Sequence, residues 1–368
     1  MKNIKLLTVV GARPQFVKAA VVSRSINDFN INNKEVNISE DILHTGQHYD
    51  HNMSDVFFEE MEIPQPKYNL GIGGRNHGEM TGRQIIEIEK ILLKNKYDAV
   101  LVYGDTNSTL SATIAACKLN IDIIHVEAGL RSFNMSMPEE VNRVLTDRVS
   151  RLLLCPTDIS VANLKNEGFE NSTNSEIKLV GDVMLDAALY YRAKKLQPTG
   201  VEIDNKRSFA LATIHREENT GDIQLSHIVD QFNLIATQID IVLPVHPRIK
   251  DRLATIDKPI NFKIIEPVSY FEMLWLLDKC SLVITDSGGL QKEAYFFNKY
   301  CITLRNETEW VELIDNKVNF LHPVTSKNLN EKVEQIIQMP NDRFKHTSLY
   351  GNGDAGKKII EIIAGLYK

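Results

Sequence analysis

Three carboxylates and one histidine occupy positions from which an enzyme could transfer protons. They follow apolar, strand-like runs or open the helix after one, and they are Asp105, Glu127, Glu139 and His215. Carboxylates and imidazoles are the side chains that most often act as general acids and bases. Open α/β sheets bind their ligands beyond the carboxyl ends of the strands, which is where these residues fall. The pattern therefore predicts an enzyme without specifying its reaction.

Each of these residues also has a structural explanation when it is taken alone. Asp105 suits the N-cap of the next helix, and Glu139, after Pro138, suits a first helical turn beside the positive end of the dipole. A single histidine such as His215 is more often a packed, hydrogen-bonded residue than a catalyst. Glu127 is harder to explain in this way, because a carboxylate that closes an apolar strand needs a partner. The combination favours an active site.

A second signal lies at residues 281–297, where an apolar run ends in a glycine turn and a helical segment begins. Gly288 and Gly289 lack a Cβ and let a ligand approach the backbone. The free N–H groups of the new helix, with Ser287, form an anion site, and Glu293 further along is an acceptor for a ribose hydroxyl. These residues predict a nucleotide-phosphate site, with an ordinary strand-to-helix turn as the alternative.

Residues 351–356 match the glycine pattern of dinucleotide-binding sites, but their context is wrong. No strand-like run precedes them, and too little chain follows for a β-α-β unit. We interpret them as a turn that leads into a last amphipathic helix at 357–367.

Strand-like runs alternate with segments of helical periodicity along most of the chain. The predicted strands include 4–10, 42–45, 98–103, 152–155 and 282–285, and the predicted helices include 14–26, 79–94, 107–119 and 329–339. Such alternation is typical of parallel sheets covered by helices on both faces. The polar region 181–208 interrupts it and predicts a junction between two doubly wound α/β halves, with a ligand cleft between them.

Composition narrows the class of protein further. The 368 residues carry a net charge of −6, which argues against general nucleic-acid binding. Four cysteines lack metal-ligand spacing, so we expect reduced thiols, no metal site and a cytoplasmic protein. The apolar run at the N-terminus is too short for a signal peptide or a membrane span, and no later run is long enough to cross a bilayer.

Several ordered motifs resemble the non-hydrolysing UDP-N-acetylglucosamine 2-epimerase family. The motifs are GARPQ followed by Lys18, then YGDTNSTL, HVEAGLRS, PEEVNR, ATIHREEN, LPVHPR and DSGGLQKEA. The resemblance runs from about Lys5 to the end of the chain. It implies two Rossmann-like domains of the glycosyltransferase-B type with an interdomain active site. The N-terminal domain would be 1–181 joined by the helix 354–368, and the UDP-binding domain 182–353. It also implies a homodimer and no cofactor.

Within that family the chain looks most similar to the UDP-2,3-diacetamido-2,3-dideoxyglucuronate 2-epimerases, which serve surface polysaccharides. The segment 307–312, Glu-Thr-Glu-Trp-Val-Glu, carries much of this likeness. The commoner acetylglucosamine enzymes have an arginine where Trp310 stands, and that arginine helps to bind the nucleotide sugar. UDP-N-acetylglucosamine is therefore the alternative substrate.

The resemblance also implies a role for each candidate residue. UDP would leave C1 as the C2 proton is removed, and would add back after reprotonation on the other face. The acid/base set would be Asp105, Glu127 and Glu139, with His215 near the phosphate and sugar. The substrate-binding residues would be Arg13, Lys18, Arg143, His246, Ser287, Gly288, Gly289 and Glu293. The rival hypotheses are a glycosyltransferase, a hydrolysing epimerase and a non-catalytic UDP-sugar sensor.

Overall fold

The computed structural model describes residues 2–47, 58, 60–172, 174–201, 208–245, 247–345 and 348–367. The chain divides into two compact units. Unit 1 contains Met1–Ala187 and Leu349–Lys368, and unit 2 contains Ala188–Ser348.

Unit 1 is built on a seven-stranded sheet in the order β3-β2-β1-β4-β5-β6-β7, and all of its strand pairs are parallel. Its strands are β1 Lys2–Val10, β2 Val36–His44, β3 Tyr68–Asn69, β4 Ala99–Tyr103, β5 Asp122–Val126, β6 Leu152–Cys155 and β7 Glu176–Leu179. Its helices are α1 Arg13–Asn32, α2 His77–Lys94, α3 Asn107–Lys118, α4 Pro138–Val149, α5 Asp158–Asn166 and α6 Phe169–Ser172, and α7 Val183–Tyr191 spans the division between the units.

Unit 2 is built on a six-stranded sheet in the order β10-β9-β8-β11-β12-β13, again with parallel pairs. Its strands are β8 Phe209–Thr213, β9 Asp240–Pro244, β10 Lys263–Ile265, β11 Leu282–Thr285, β12 Tyr300–Thr303 and β13 Asn319–Leu321. Its helices are α8 Asp222–Ile235, α9 Pro247–Ala254, α10 Tyr270–Lys279, α11 Gly288–Phe296, α12 Val311–Asp315 and α13 Leu329–Ile337. The prediction of two Rossmann-like parallel-sheet domains is confirmed.

The strand order reverses once in each sheet, and that reversal locates a ligand site. In unit 1 the chain fills one edge from β1 through β2 and β3, and then the other edge from β4 through β7. In unit 2 the same reversal lies between β8 and β11. The loops leaving two such neighbouring strands diverge and open a crevice at their carboxyl ends. We therefore expect ligand-binding residues in the turns after β1 and β4, and in those after β8 and β11.

The central strands are buried on both faces, which explains why they are nearly continuous apolar runs. Leu7 and Val9 of β1 lie in one cluster with Val100 of β4, Ile88 of α2 and Ala112 of α3, all of them buried. Removing this apolar surface from water is the main favourable term that holds the sheet between its helices.

Three elements differ from the sequence-based prediction. Strand β2 begins at Val36 rather than 42, because its first half carries polar residues that leave no apolar run. Helix α1 continues to Asn32 rather than 26. The prediction ended too early because the last two turns of the helix are partly exposed and largely polar, which weakens the apolar periodicity. The region 181–208 is not only a junction, because it contains helix α7. Among the described residues no helix is both long and apolar enough to cross a membrane.

The last helix, α14 Ala355–Leu366, packs against α1 within unit 1. Gly356 allows this approach, because a Cβ there would lie 2.5 Å from Ser25 Oγ and 2.8 Å from Val21 Cγ1. In the described chain no strand directly precedes Gly351, as expected for a turn rather than a dinucleotide site. Asp186 of α7 fastens the start of the helix, since its Oδ2 accepts a hydrogen bond of 2.8 Å from the Gly356 N–H.

Asp186 gives a testable dependence of stability on pH. Burial, with the nearby Asp182 and Asp354 carboxylates, raises the pKa of Asp186 to about 6. The folded state therefore binds this proton more tightly than the unfolded chain, and stability falls as pH rises from about 4 to about 6. We expect Asp186→Asn to remove this loss. The free energy of unfolding of the variant, relative to that of wild type, should therefore rise by about 1–3 kcal/mol from pH 4 to pH 7. Urea unfolding at the two pH values measures it, with the exposed Asp158→Asn as control. An equal difference at both pH values would contradict the expectation.

Candidate functional site

The first cluster lies at the carboxyl ends of β4 and β5 in unit 1. Lys18, in the second turn of α1, directs its ammonium group to Oε2 of Glu127, the residue that follows β5. Both side chains are only 9% exposed. A nearly buried ion pair is stable only when each charge has its partner in place, so Lys18 supplies the partner that Glu127 needs.

The backbone around this pair is unusual. Glu127 has φ of 72° and Gly104, after β4, has φ of 59°, both in the left-handed region. A Cβ on Gly104 would lie 3.0 Å from Glu127 Oε2 and 3.3 Å from Lys18 Nζ. Glycine is therefore needed here, because it lets the turn lie directly against the ion pair. A non-glycine residue held at positive φ is uncommon, and such strain is typical of functional sites.

Asp105 follows Gly104 and is held by helix α4. Arg143 Nη2 lies 2.5 Å from Asp105 Oδ2, and the Asn142 side chain donates to the Asp105 carbonyl at 2.8 Å. The Arg143 side chain is 5% exposed, while that of Asp105 is 31% exposed. The result is an oriented carboxylate that remains accessible, on a turn that also borders Glu127. The structure thus brings together Lys18, Glu127, Asp105 and Arg143.

Two other predicted residues of unit 1 lie nearby in the chain but are less enclosed. Arg13 is the first residue of α1 and is half-buried. Glu139 is exposed in the first turn of α4. Its neighbour Glu140 is buried instead, and accepts hydrogen bonds of 2.9 Å from the N–H groups of Ser132 and Phe133. The family resemblance named Glu139 and not Glu140, whereas the residue pattern alone does not separate them, because adjacent helical residues differ only in the face they occupy.

Gln15, for which the motif GARPQ predicted no role, links two turns at the switch point of unit 1. Its buried amide oxygen accepts from the N–H groups of Gly11 and Ala12, at 2.8 and 3.1 Å. Its amide nitrogen donates to the Tyr103 carbonyl at 2.8 Å and to the Thr106 hydroxyl at 2.9 Å. One side chain therefore ties together the turns after β1 and β4, which are the two turns of the switch point.

The second cluster lies at the carboxyl ends of β8 and β11 in unit 2. Asp286 is fully buried and accepts from the N–H groups of His215 and Arg216 and from the Asn219 side chain. His215 Nδ1 lies 3.0 Å from Asp286 Oδ1, while 57% of the His215 side chain is exposed. Burial opposes ionisation of Asp286, but the contacts with His215, Arg216 and Asn219 outweigh it and lower the pKa of Asp286. An oriented, accessible imidazole results.

The glycine turn after β11 begins α11 as the sequence predicts. Ser287 is the N-cap and its hydroxyl accepts from the Leu290 N–H at 3.4 Å. Among the described residues, none lies within 4 Å of the position a Gly289 Cβ would take, whereas a Gly288 Cβ would lie 2.5 Å from Glu309 Oε1. Glu293 lies further along α11 and is 8% exposed. The arrangement is a helix N-terminus with open backbone, which favours an anion.

Trp310 packs against the glycine turn that begins α11. Its indole N–H donates to the Gly288 carbonyl at 3.0 Å, and it is 3% exposed. Lys292 Nζ lies 4.0 Å from the centre of the indole ring, within the range of a cation–π interaction. Arg305 forms a 2.9 Å ion pair with Glu309 beside it. The residue that departs from the commoner family motif thus packs directly against the glycine turn.

His246, a predicted binding residue, lies outside the described residues. Within the described ranges, no group of three or more histidine, cysteine, aspartate or glutamate side chains is arranged to hold a metal ion.

Comparison with known proteins gives consistent matches over the whole chain. A family model described as UDP-N-acetylglucosamine 2-epimerase matches residues 30–364. The chain is 47% identical over 370 residues to the UDP-2,3-diacetamido-2,3-dideoxy-D-glucuronate 2-epimerase of Pseudomonas aeruginosa, covering 99% of this chain and 100% of that protein. It is 40% identical over 376 residues to the UDP-N-acetylglucosamine 2-epimerase of Methanocaldococcus jannaschii, covering 98% and 99%.

Solved structures agree with this assignment. The crystal structure of the Methanocaldococcus jannaschii UDP-GlcNAc 2-epimerase in complex with UDP-GlcNAc and UDP matches with a TM-score of 0.83 and 38% identity, and covers 98% of this chain and 99% of that one. These matches confirm the resemblance drawn from the motifs.

The role of Asp286 can be tested by stability. Asp286→Asn keeps the size of the side chain but turns an amide N–H group toward donors that need an acceptor. We expect the free energy of unfolding to fall by about 1–3 kcal/mol at neutral pH. Because the pKa of Asp286 is lowered, wild type should lose this advantage as pH falls. Urea denaturation measures both effects. The control, Asp230→Asn, breaks an exposed pair with Lys258 and should cost less than about 1 kcal/mol. Equal losses in the two variants would contradict the role given to Asp286.

Proposed function

Because the chain belongs to the UDP-N-acetylglucosamine 2-epimerase family, we propose that it inverts C2 of UDP-2,3-diacetamido-2,3-dideoxy-D-glucuronate to give the mannuronate epimer. The reaction class is that of a UDP-sugar 2-epimerase, an isomerase acting on carbohydrates. The likeness to the Pseudomonas aeruginosa enzyme, 47% identical from end to end, supports the choice of substrate. The alternative substrate is UDP-N-acetylglucosamine, which the Methanocaldococcus jannaschii relative is named for.

The proposed chemistry is elimination of UDP followed by re-addition. The C2–H bond breaks as a carboxylate takes the proton, the electron pair forms the C1–C2 double bond, and the C1–O bond breaks with UDP as the leaving group. A proton then returns to the opposite face of C2 while UDP re-forms the bond to C1. No net oxidation occurs, and the scheme needs no redox cofactor. It needs proton-transfer groups near C1–C2 and positive charge for the departing phosphate.

The observation that carries this proposal is the cluster of Lys18, Glu127, Asp105 and Arg143 at the carboxyl ends of β4 and β5 in unit 1. Two carboxylates border one glycine turn, and each contacts a cation. That is the set of groups that the elimination requires. We assign proton transfer to Glu127 and Asp105, with exposed Glu139 as the third member, and charge balance to Lys18, Arg143 and Arg13.

The UDP group is assigned to unit 2. The N–H groups at the start of α11 and the Ser287 hydroxyl would hold the diphosphate, with Gly288 and Gly289 allowing close approach. Glu293 would accept from the ribose. The accessible His215 imidazole would contact the phosphate or sugar, and His246 is kept as a substrate-binding residue. We also propose a cytoplasmic homodimer that serves surface polysaccharide synthesis.

The substrate is decided by proton NMR in D2O with UDP-N-acetylglucosamine and its 2,3-diacetamido-uronate analogue in parallel. We expect the uronate to give a manno epimer carrying deuterium at C2, faster than UDP-N-acetylglucosamine and without accumulation of free UDP. Faster turnover of UDP-N-acetylglucosamine would establish the alternative. Release of UDP only in the presence of an acceptor would replace the epimerase by a transferase.

The role of Glu127 is tested in the same assay. Glu127→Gln keeps the shape of the side chain but cannot accept a proton, so we expect turnover to fall by at least about 100-fold. Affinity for UDP, measured by calorimetry, should change little because the UDP-binding groups are assigned to unit 2. The control is Glu79→Gln, which alters an exposed ion pair with Arg75 and should leave turnover unchanged. Wild-type turnover in Glu127→Gln would remove Glu127 from the chemistry.

A further inference from the structure

A network of buried, hydrogen-bonded polar groups adjoins the turns that carry Glu127 and Asp105 in unit 1. His125, the fourth residue of β5, and Asp147, in the last turns of α4, are both fully buried. His125 Nδ1 lies 2.7 Å from Asp147 Oδ1, and His125 Nε2 lies 2.8 Å from the Gly104 carbonyl. The ring thus bridges the Asp147 carboxylate and the Gly104 carbonyl, with one nitrogen facing each oxygen.

Asp147 holds the chain on both sides of Glu127. Two residues before it, His125 contacts Oδ1. Two residues after it, the Gly129 N–H donates to Oδ2 at 3.1 Å, and the Arg131 guanidinium contacts the same oxygen at 2.7 Å. Gly129 also has positive φ, of 79°, and a Cβ there would lie 2.3 Å from the Ser160 carbonyl. One carboxylate therefore fixes the whole turn in which Glu127 adopts its left-handed conformation.

The same network reaches Asp105 through the Gly104 peptide. The His125 ring contacts the Gly104 carbonyl, and Asp105 is the residue that follows Gly104. The Gly104 N–H in turn donates to the Val126 carbonyl at 3.0 Å, so the turns after β4 and β5 are joined by their backbones as well. A shift of His125 would move both carboxylates.

Burial and charge favour a single arrangement of this hydrogen-bonded network. Burial opposes ionisation of Asp147, but its contacts with His125 and Arg131 outweigh it and lower the pKa of Asp147. Arg131 is anchored on its far side by a two-point ion pair with Glu167, at 2.6 and 2.8 Å. Removing one partner from such a network leaves a buried charge without compensation, so the network holds a single arrangement.

We propose that Asp147 and His125 are positioning residues that set the relative placement of Glu127 and Asp105 for proton transfer at C2. This inference rests on the proposed function. Neither residue contacts the reacting atoms in this assignment. They act through the Gly104 peptide and the turn 127–131. Misplacement of a catalytic group by about 1 Å is enough to cost on the order of 100-fold in rate.

Two substitutions at His125 separate positioning from packing. In asparagine the amide nitrogen takes the place of Nδ1, so His125→Asn keeps the contact with Asp147 and loses the one with Gly104. In glutamine the amide nitrogen takes the place of Nε2, so His125→Gln keeps the contact with Gly104 and loses the one with Asp147. We expect His125→Asn to lower kcat by about 100-fold and His125→Gln by less than about 10-fold, with KM and UDP affinity nearly unchanged in both.

A purely structural role gives a different result. Activity would then follow thermal stability, and the two variants would lose similar fractions of kcat or share a rise in KM, which would overturn the proposal. If His125→Asn does not fold, Asp147→Asn carries the test, because it weakens the hold on both sides of Glu127 and should lower kcat about 100-fold at unchanged UDP affinity. The control is Glu170→Gln, which alters an exposed ion pair with Lys165 outside this network and should keep kcat.

The wild-type protein separates this inference from the function on which it rests. If wild type gives neither a manno epimer nor deuterium at C2 with either UDP-sugar, the proposed function fails. If wild type turns over and folded His125→Asn and Asp147→Asn turn over at the same rate, the function stands and the positioning role is wrong.

Discussion

A fully buried aspartate organises the functional end of the sheet in each unit. Asp147 and Asp286 are both inaccessible to solvent, and an ionised carboxylate in that position is very unfavourable unless donors surround it. Each one is therefore surrounded by donors from the loop that follows a neighbouring strand. In unit 1 that loop carries Glu127, and in unit 2 it carries His215. The need to satisfy one buried charge thus constrains the conformation of the loop that supplies the donors.

This constraint also explains how unusual backbone conformations persist. Glu127 is held at positive φ beside Gly104, a combination that local preferences oppose. Such a conformation lasts only where the surroundings determine it several times over. Here the Lys18 ammonium holds the side chain of Glu127, and Asp147 holds the chain on either side of it. Charges fixed in this way need no rearrangement when a reaction develops charge nearby, which is the physical basis of electrostatic catalysis.

The sequence predicted the central strands well because they are buried on both faces, and residues 152–155 were assigned with their observed bounds. It found only the apolar end of β2, because the first half of that strand is polar, and it missed α7, because turn residues dominate the region 181–208. The site followed the same division. Asp105 and Glu127 were predictable because strand ends mark them. Arg143, which contacts Asp105, was named only through the family resemblance, and Asp147, which holds the turn around Glu127, was not named, because periodicity places both on α4 without indicating which loop their side chains reach.

Trp310 is the residue at which this chain departs from the motif of the commoner family members. In the commoner enzymes of the family an arginine stands here and, by the motif resemblance, helps to bind the nucleotide sugar. An indole has a single N–H donor, and in this chain it donates to the Gly288 carbonyl. Trp310 therefore has no hydrogen bond left to offer a ligand. It contributes a rigid aromatic wall behind the glycine turn, with the Lys292 ammonium against its ring. The position that the motif resemblance gives to a five-donor arginine is therefore occupied by an apolar ring, beside the glycine turn that begins α11.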